Sequence, residues 1–169
     1  MPAPETRILL ITGVAGSGKS TTGRRAAEAL SWPYFEADDF HSTANKAKME
    51  AGIPLDDADR APWLAAIRAK MDEVRAASGR AVFTCSALKQ SYRDVLTGGT
   101  DDVVLVFLTA DRDTILARVA RRRGHFMKAD LVDSQFEALE PPADAVTIDV
   151  RLTPGAVLER VLAAVGRSI

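Results

Sequence analysis

The chain has 169 residues, of which 47% are hydrophobic and 27% charged, and its formal net charge is −1. This length and composition predict a single globular domain over residues 1–169. A nearly neutral charge balance gives no overall field that would recruit nucleic acid or an anionic membrane, so we expect neither partner. The single cysteine, Cys85, excludes an internal disulfide. Together with the lack of a basic leader or a long apolar run, this favours a cytoplasmic protein.

The first strong pattern follows a short apolar run at residues 7–12, which predicts a buried parallel strand. The next residues match G-x-x-x-x-G-K-[ST] at every fixed position, and a predicted helix then runs from Thr21 to Leu30. Glycines let successive N–H groups face an anion, lysine reaches the β- and γ-phosphates, and the final hydroxyl can bind Mg²⁺. We call residues 13–20 the phosphate loop, which consists of Gly13, Val14, Ala15, Gly16, Ser17, Gly18, Lys19 and Ser20. With Thr21 it forms the predicted nucleotide site.

A second short strand is predicted at residues 34–36 and runs directly into Asp38, Asp39 and His41. Because parallel strands bind ligands beyond their carboxyl ends, these acids are expected beside the phosphate loop. One acid can accept a proton from an attacking hydroxyl and the other can hold a Mg²⁺-bound water, although aspartate also caps helices. His41 either orients a substrate hydroxyl or begins a helix without a chemical role.

Residues 45–52 predict a short helix, and residues 54–63 predict a loop that leads into a long helix. That helix buries one face, marked by residues three or four apart, namely Leu64, Ile67, Met71 and Val74. Ahead of this helix, Arg60 follows closely after three aspartates, Asp56, Asp57 and Asp59. Either the acids cap the helix and pair with Arg60, or its planar guanidinium binds the carboxylate of an acceptor molecule.

The third predicted strand, residues 81–85, ends in Thr-Cys-Ser, where many phosphate-loop enzymes have an aspartate that supports Mg²⁺. We therefore expect the supporting carboxylate at Asp38 or Asp39. The helix that follows carries Lys89 and Arg93. These side chains either bind an anionic acceptor or lie on a solvated helix face.

A fourth strand is predicted at residues 103–108, followed by a helix capped by Asp111. Residues 118–128 then hold five basic side chains and no acidic one. In a chain that binds a triphosphate, this pattern favours a lid over residues 118–130 that neutralises phosphate charge and excludes water. Arg122 is its candidate catalytic cation.

The remaining segments are a helix at residues 131–139, a fifth strand at residues 145–150 and a last helix that starts at Thr153 and Pro154. Five strands that alternate with helices predict a three-layer α/β fold of the P-loop NTPase type. Its five-stranded parallel sheet is covered by helices on both faces.

Several motifs in this order resemble the gluconokinase family, small phosphate-loop kinases related in fold to shikimate and nucleoside monophosphate kinases. The resemblance covers nearly the whole chain. Besides the phosphate loop it rests on Asp38-Asp39-Phe40-His41, Asn45 with Lys48-Met49, Gly52-x-Pro54-Leu55-x-Asp57-x-Asp59-Arg60-x-Pro62-Trp63-Leu64, Cys85-Ser86-Ala87-Leu88-Lys89-x-x-Tyr92-Arg93-Asp94, Arg123-Gly124-His125-Phe126 and Ser134-Gln135-Phe136-Glu137-x-Leu139-Glu140. Two positions depart from the common pattern, Ser42 in place of a proline and Thr97 in place of a basic residue.

The resemblance implies phosphorylation of D-gluconate at its 6-hydroxyl, with ATP and Mg²⁺ as cofactors, and it allows a homodimer. Asp38 would contact the acceptor hydroxyl, Lys19 and Arg122 would act on the phosphates, and Ser20 would bind the metal. The implied substrate-binding residues are Asp38, His41, Arg60, Lys89, Arg93, His125 and Gln135. Two alternatives remain, namely a kinase for shikimate or another small acid, and a nucleotide-binding module without transfer activity.

The substitution Lys19→Ala is expected to abolish phosphate transfer, because the lysine holds the β- and γ-phosphates. Coupled ADP release in the presence of acceptor measures this. A variant that forms product at the normal rate would contradict the assignment of the phosphate loop.

Overall fold

The computed structural model describes residue 2, residues 4–121 and residues 129–166, without the side chains of residues 129 and 130. Arg122, His125 and most of the predicted lid therefore lie outside the described residues. None of the helices in the described parts of the chain combines the length and apolarity that a bilayer crossing requires.

Five strands form one sheet in the order β2-β3-β1-β4-β5, and every neighbouring pair is parallel. The strands are β1 (Ile8–Thr12), β2 (Tyr34–Glu36), β3 (Ala81–Thr84), β4 (Val103–Thr109) and β5 (Val146–Asp149). The predicted five-stranded parallel sheet is confirmed. Because all strands point the same way, the phosphate loop after β1 and the acidic segment after β2 lie at the same edge.

Helices cover both faces of the sheet, as its alternating side chains require. The helices are α1 (Lys19–Leu30), α2 (Thr43–Glu50), α3 (Asp57–Ala76), α4 (Gln90–Thr97), α5 (Arg112–Ala120), α6 (Ala129–Ala138) and α7 (Pro154–Gly166), with a 3₁₀ helix at Ala37–Phe40. Leu9 and Ile11 pack in a core cluster with side chains of α1 and α7. Ile8 and Leu10 pack in a second cluster with side chains of α3 and α4. This alternation produces the predicted three layers.

The prediction of a loop over residues 54–63 is wrong, because α3 already begins at Asp57. A reciprocal cap starts the helix: the Asp56 side chain accepts from the Asp59 N–H at 2.7 Å, and the Asp59 side chain accepts from the Asp56 N–H at 3.1 Å. Pro62 lies inside the helix, where a proline normally costs about 3 kcal/mol. The cap and the buried face of α3 offset that cost, so Arg60 projects from a helix rather than from a loop.

Gly23 lets α1 approach the sheet closely. A Cβ atom placed there would lie 2.4 Å from Cγ2 of Thr84 and 2.7 Å from Cε1 of Tyr34. Even an alanine would therefore force α1 away from strands β2 and β3. Since α1 carries the end of the phosphate loop, this contact also sets the distance between that loop and β2.

The substitution Gly23→Ala is expected to lower the free energy of unfolding by about 1–3 kcal/mol, because the added methyl overpacks the contact with Thr84 and Tyr34. Gly155→Ala in α7 is the matched control, since a Cβ atom there meets no atom within 4 Å. This control should be neutral or stabilising by roughly 0.5 kcal/mol. Urea denaturation measures both, and equal effects would contradict the packing argument.

Candidate active site

Left-handed glycines shape the phosphate loop. The φ angles are +148° at Gly13, +81° at Gly16 and +90° at Gly18, in the region that side chains rarely adopt. A Cβ atom at Gly13 would lie 2.6 Å from the carbonyl oxygen of Leu108, and one at Gly16 would lie 2.7 Å from Cγ2 of Val119. The loop therefore fits closely against the end of β4 and against α5.

Helix α1 begins at Lys19, two residues earlier than predicted, because the left-handed Gly18 turns the chain directly into it. The N-terminal turn of a helix presents backbone N–H groups that have no carbonyl partner within the helix. These groups and the positive end of the helix dipole suit a phosphate. The Lys19 ammonium lies over the loop and donates to the carbonyl of Val14 at 3.1 Å.

A carboxylate that the sequence analysis did not identify contacts the predicted metal ligand. Ser20 donates to Oε2 of Glu36 at 2.7 Å, and the Tyr34 hydroxyl donates to the same oxygen. The Tyr34 hydroxyl also lies 2.7 Å from Oγ1 of Thr84. Burial, and then the hydrogen bond to Glu36, raise the pKa of Tyr34 to about 12, so it remains a neutral donor.

Glu36 is the last residue of β2, at the carboxyl edge of the sheet, and that position was the signal that could have identified it. The Ser20 hydroxyl and the Glu36 carboxylate are oxygen ligands of the kind that Mg²⁺ prefers. Among the described residues, no three histidine, cysteine or acidic side chains group into a metal site. A Mg²⁺ ion fits this pair nonetheless, since it usually takes one or two protein ligands and completes its shell with water and phosphate oxygens.

Asp38 lies among the charges of the phosphate end. Its side chain is accessible to solvent, yet partial loss of hydration raises its pKa, and the negative charge of Glu36 raises it further. The charges of His41 and Lys19 act in the opposite direction. A carboxylate with a raised pKa is a better proton acceptor than a free aspartate, which fits the predicted role of Asp38.

His41 is held in a fixed orientation. Its ring stacks on Trp63 with centroids 4.2 Å apart and planes inclined by 10°. Its Nδ1 atom lies 3.3 Å from the side-chain amide nitrogen of Asn45. Burial lowers the pKa of His41, and its imidazole also experiences the charges of Asp38 and Arg60. The stacking on Trp63 thus links His41, in the segment that follows Asp38, to the helix that carries Arg60.

Arg60 and Lys89, both predicted to bind substrate, meet at Tyr92. Arg60 donates to the Tyr92 hydroxyl at 3.1 Å, and that hydroxyl donates to Oδ1 of Asp57 at 2.6 Å. The Lys89 ammonium lies 3.3 Å from the same Asp57 oxygen. Both cations lie over the Tyr92 ring, each 5.5 Å from its centroid. We call Asp57, Arg60, Lys89 and Tyr92 the Tyr92 cluster.

Arg93 lies apart from this cluster and is only 2% exposed. Its guanidinium donates to the carbonyls of Ala87 at 2.8 Å, Leu88 at 3.1 Å and Glu140 at 2.6 Å. These bonds brace the turn that leads into α4, where Ala87 has a φ of +39°. The structure thus gives Arg93 a structural task, while its binding of substrate stays a prediction.

Gln135 on α6 contacts the phosphate loop rather than the Tyr92 cluster, since its Oε1 atom accepts from the Ala15 N–H at 2.6 Å. Arg118, the first basic residue of the predicted lid, belongs to α5 and donates to the carbonyl of Val150. Arg122 and His125, the other predicted site residues of that region, lie outside the described residues.

Comparisons with known proteins identify the family. The shikimate kinase family model matches residues 15–146. A gluconokinase of Gluconobacter oxydans is 43% identical over 161 residues, which cover 92% of this chain and 89% of that protein. The thermosensitive gluconokinase of Escherichia coli is 43% identical over 145 residues, which cover 83% and 78% of the two chains. This chain belongs to the gluconokinase family.

The solved structures agree with this assignment. The crystal structure of a gluconokinase from Sinorhizobium meliloti superimposes with a TM-score of 0.85 at 38% identity, covering 99% of this chain and 94% of that one. The predicted P-loop kinase fold is confirmed, and so is the resemblance that the sequence motifs carried.

The substitution Asp38→Asn is expected to reduce phosphate transfer by about 100-fold or more, since general bases contribute roughly 10²–10⁴-fold. It is also expected to stabilise the nucleotide-free protein at neutral pH. Because the folded-state pKa is raised, the ionised carboxylate costs stability once the pH rises above its unfolded pKa. The difference in the free energy of unfolding between the variant and the unmodified protein should vanish at a pH below the ordinary aspartate pKa.

Coupled ADP release and urea denaturation at several pH values measure these two effects. The control is Asp39→Asn, which makes the same charge change at the neighbouring residue. A larger loss of activity in the Asp39 variant than in the Asp38 variant would assign the proton acceptor to Asp39 instead.

Proposed function

We propose that this enzyme transfers the γ-phosphate of ATP to the 6-hydroxyl of D-gluconate, giving 6-phosphogluconate and ADP. The observation that carries the proposal is a series of contacts that leads from the phosphate loop to α3. Asp38 follows two residues after Glu36, which accepts from the serine of the phosphate loop. His41 belongs to the same segment and stacks on Trp63, which shares α3 with Arg60. The names of the relatives support gluconate as the acid.

At the phosphate end, the loop amides and Lys19 hold the β- and γ-phosphates of ATP. Ser20 and Glu36 would hold Mg²⁺, which when bound neutralises charge on the phosphate oxygens. The hydrogen bonds from Tyr34 and Ser20 to Glu36 orient its carboxylate before any ligand arrives. Such preorganisation avoids rearrangement of the site during the reaction.

In the transfer step, the 6-hydroxyl oxygen of gluconate forms a bond to the γ-phosphorus while the bond from that phosphorus to the β–γ bridging oxygen breaks. Asp38 orients the hydroxyl and receives its proton, and ADP leaves with the bridging oxygen. The phosphoryl group carries no covalent link to the protein, so positioning and charge supply the catalysis.

At the acceptor end, Arg60 and Lys89 bind the gluconate carboxylate. Charge-assisted hydrogen bonds of this kind are roughly twice as strong as neutral ones. A neutral sugar would leave the two cations without that partner, so selection against it is strong. The acceptor region is therefore residues 38–64 together with Lys89.

The other predicted residues take supporting roles in this proposal. His41, which Trp63 and Asn45 hold in place, donates to a hydroxyl of gluconate. Gln135 lies at the phosphate loop, where it can contact the transferred group. Residues 118–130, with Arg122 and His125, act as the lid, and Arg93 supports Lys89 through the turn before α4.

A second candidate is phosphorylation of shikimate, which the match to the shikimate kinase family model favours. Shikimate is also a carboxylate that carries hydroxyls, so Arg60 and Lys89 suit it chemically. The relatives that are more than 40% identical carry the name gluconokinase, and for this reason gluconate is the first choice.

The test is acceptor-dependent ADP release by the purified protein with Mg-ATP, comparing D-gluconate, shikimate, D-glucose and no acceptor. We expect gluconate to stimulate ADP release far above the other three conditions, because it alone combines a carboxylate with an extended primary alcohol. Lys19→Ala, purified in parallel, controls for contaminating kinases. Stimulation by shikimate and not by gluconate would replace the proposal with the second candidate.

A further inference from the structure

The Tyr92 cluster contains two cations and one carboxylate. Arg60 and Lys89 contribute two positive charges and Asp57 one negative charge, which leaves a net charge of +1. A single substrate carboxylate would bring this subsite to neutrality. Without Asp57 the subsite would carry a net charge of +2 and would suit a dianion equally well.

We propose that Asp57 sets the charge of the acceptor subsite so that it selects a monocarboxylate over a dianion, and that Tyr92 positions the two cations for this purpose. The inference rests on the proposed function, which it deepens by adding two specificity-determining residues. Its basis is the set of hydrogen bonds that joins Asp57 directly to Lys89, and to Arg60 through the Tyr92 hydroxyl.

Asp57 is held in place even though its side chain is 70% exposed. It accepts from the Tyr92 hydroxyl and from the Lys89 ammonium, and these bonds hold the pKa of the Asp57 carboxyl below its usual range. It is also the first residue of α3, where the helix dipole favours a negative charge. The carboxylate thus stays ionised and beside the cations at neutral pH.

Tyr92 links the members of the cluster. Tyr92 is 7% exposed and its ring contacts both cations, and its hydroxyl accepts from Arg60 while donating to Asp57. A phenylalanine would keep the ring and the cation–π contacts but would lose both hydrogen bonds. The hydroxyl is therefore the group that fixes the guanidinium relative to Asp57.

Helix α3 joins the cluster to the segment that carries Asp38. The Trp63 indole donates to the carbonyl of Ala37, the residue before Asp38, at 2.7 Å. Trp63, which stacks on His41, belongs to the same helix as Arg60 and Asp57. One helix thus carries Arg60, Asp57 and the support of the histidine.

The first test measures anion binding to the protein loaded with Mg-ADP, so that nucleotide fills the phosphate loop. Acetate and malonate are the probes, because they share the carboxylate group and differ by one charge. Asp57→Asn should tighten acetate binding about threefold and malonate binding about tenfold. The substitution makes the subsite more positive by one charge, and the resulting gain in Coulomb energy is twice as large for a dianion as for a monoanion. Thermal-shift titrations give both dissociation constants.

The matched control is Asp113→Asn, which removes an acid from the first turn of α5, away from the Tyr92 cluster. It should leave both anion affinities unchanged. If Asp57→Asn alters acetate and malonate binding by the same factor, or by no more than the control does, Asp57 does not set the charge of the subsite.

The second test is steady-state kinetics of Tyr92→Phe. We expect the KM for gluconate to rise about fivefold to tenfold, as the loss of hydrogen bonds to a charged group predicts. The kcat and the KM for ATP should change less than twofold. A fall in kcat with an unchanged gluconate KM would overturn the positioning role of Tyr92.

The two proposals fail in different ways. If the unmodified protein phosphorylates gluconate but Asp57→Asn keeps the anion preference of the unmodified protein, the inference is wrong and the function stands. If gluconate fails to stimulate ADP release, the proposed function is wrong. The acetate and malonate titrations still decide the role of Asp57 in that case, because they need no acceptor.

Discussion

The hydrogen bond from Ser20 to Glu36 joins the phosphate loop to the end of β2, and the arrangement of the site depends on it. Ser20 lies in the first turn of α1, while Glu36 ends a strand at the edge of the sheet. The two meet because Gly23 lets α1 pack closely against Tyr34 and Thr84. The 3₁₀ helix that carries Asp38 begins immediately after Glu36, so the same link sets where Asp38 lies relative to the phosphate loop.

Charge alternates along the site from one end to the other. Lys19 is positive, Glu36 and Asp38 are negative, and the cations of the Tyr92 cluster are positive again. A substrate with a hydroxyl at one end and a carboxylate at the other matches this order. In the proposed reaction, the negative middle would keep the nucleotide phosphates and the acceptor carboxylate at separate cations, since each anion would otherwise compete for both groups.

Three features of the structure that the sequence patterns did not predict have identifiable physical causes. The loop expected before α3 was wrong because the reciprocal cap of Asp56 and Asp59 starts the helix ahead of an interior proline. Glu36 contacts Ser20 because β2 ends there at the sheet edge, while the support of Mg²⁺ by Asp38 or Asp39 stays a prediction. Arg93 is buried in a turn. Sequence patterns show that a residue is charged, but burial depends on contacts distant in the chain.

The sequence by itself determined the phosphate loop, the five strands and the parallel sheet, because glycine spacing and hydrophobic periodicity are local properties. Its ordered motifs carried the resemblance to the family. It also supplied Arg60 and Lys89 as acid-binding candidates. Only the tertiary structure decided that these two cations meet at Tyr92, with Asp57 between them, although 32 residues separate Arg60 from the tyrosine. Such a cluster arises where α3 packs against α4, and no local pattern encodes the register of two helices.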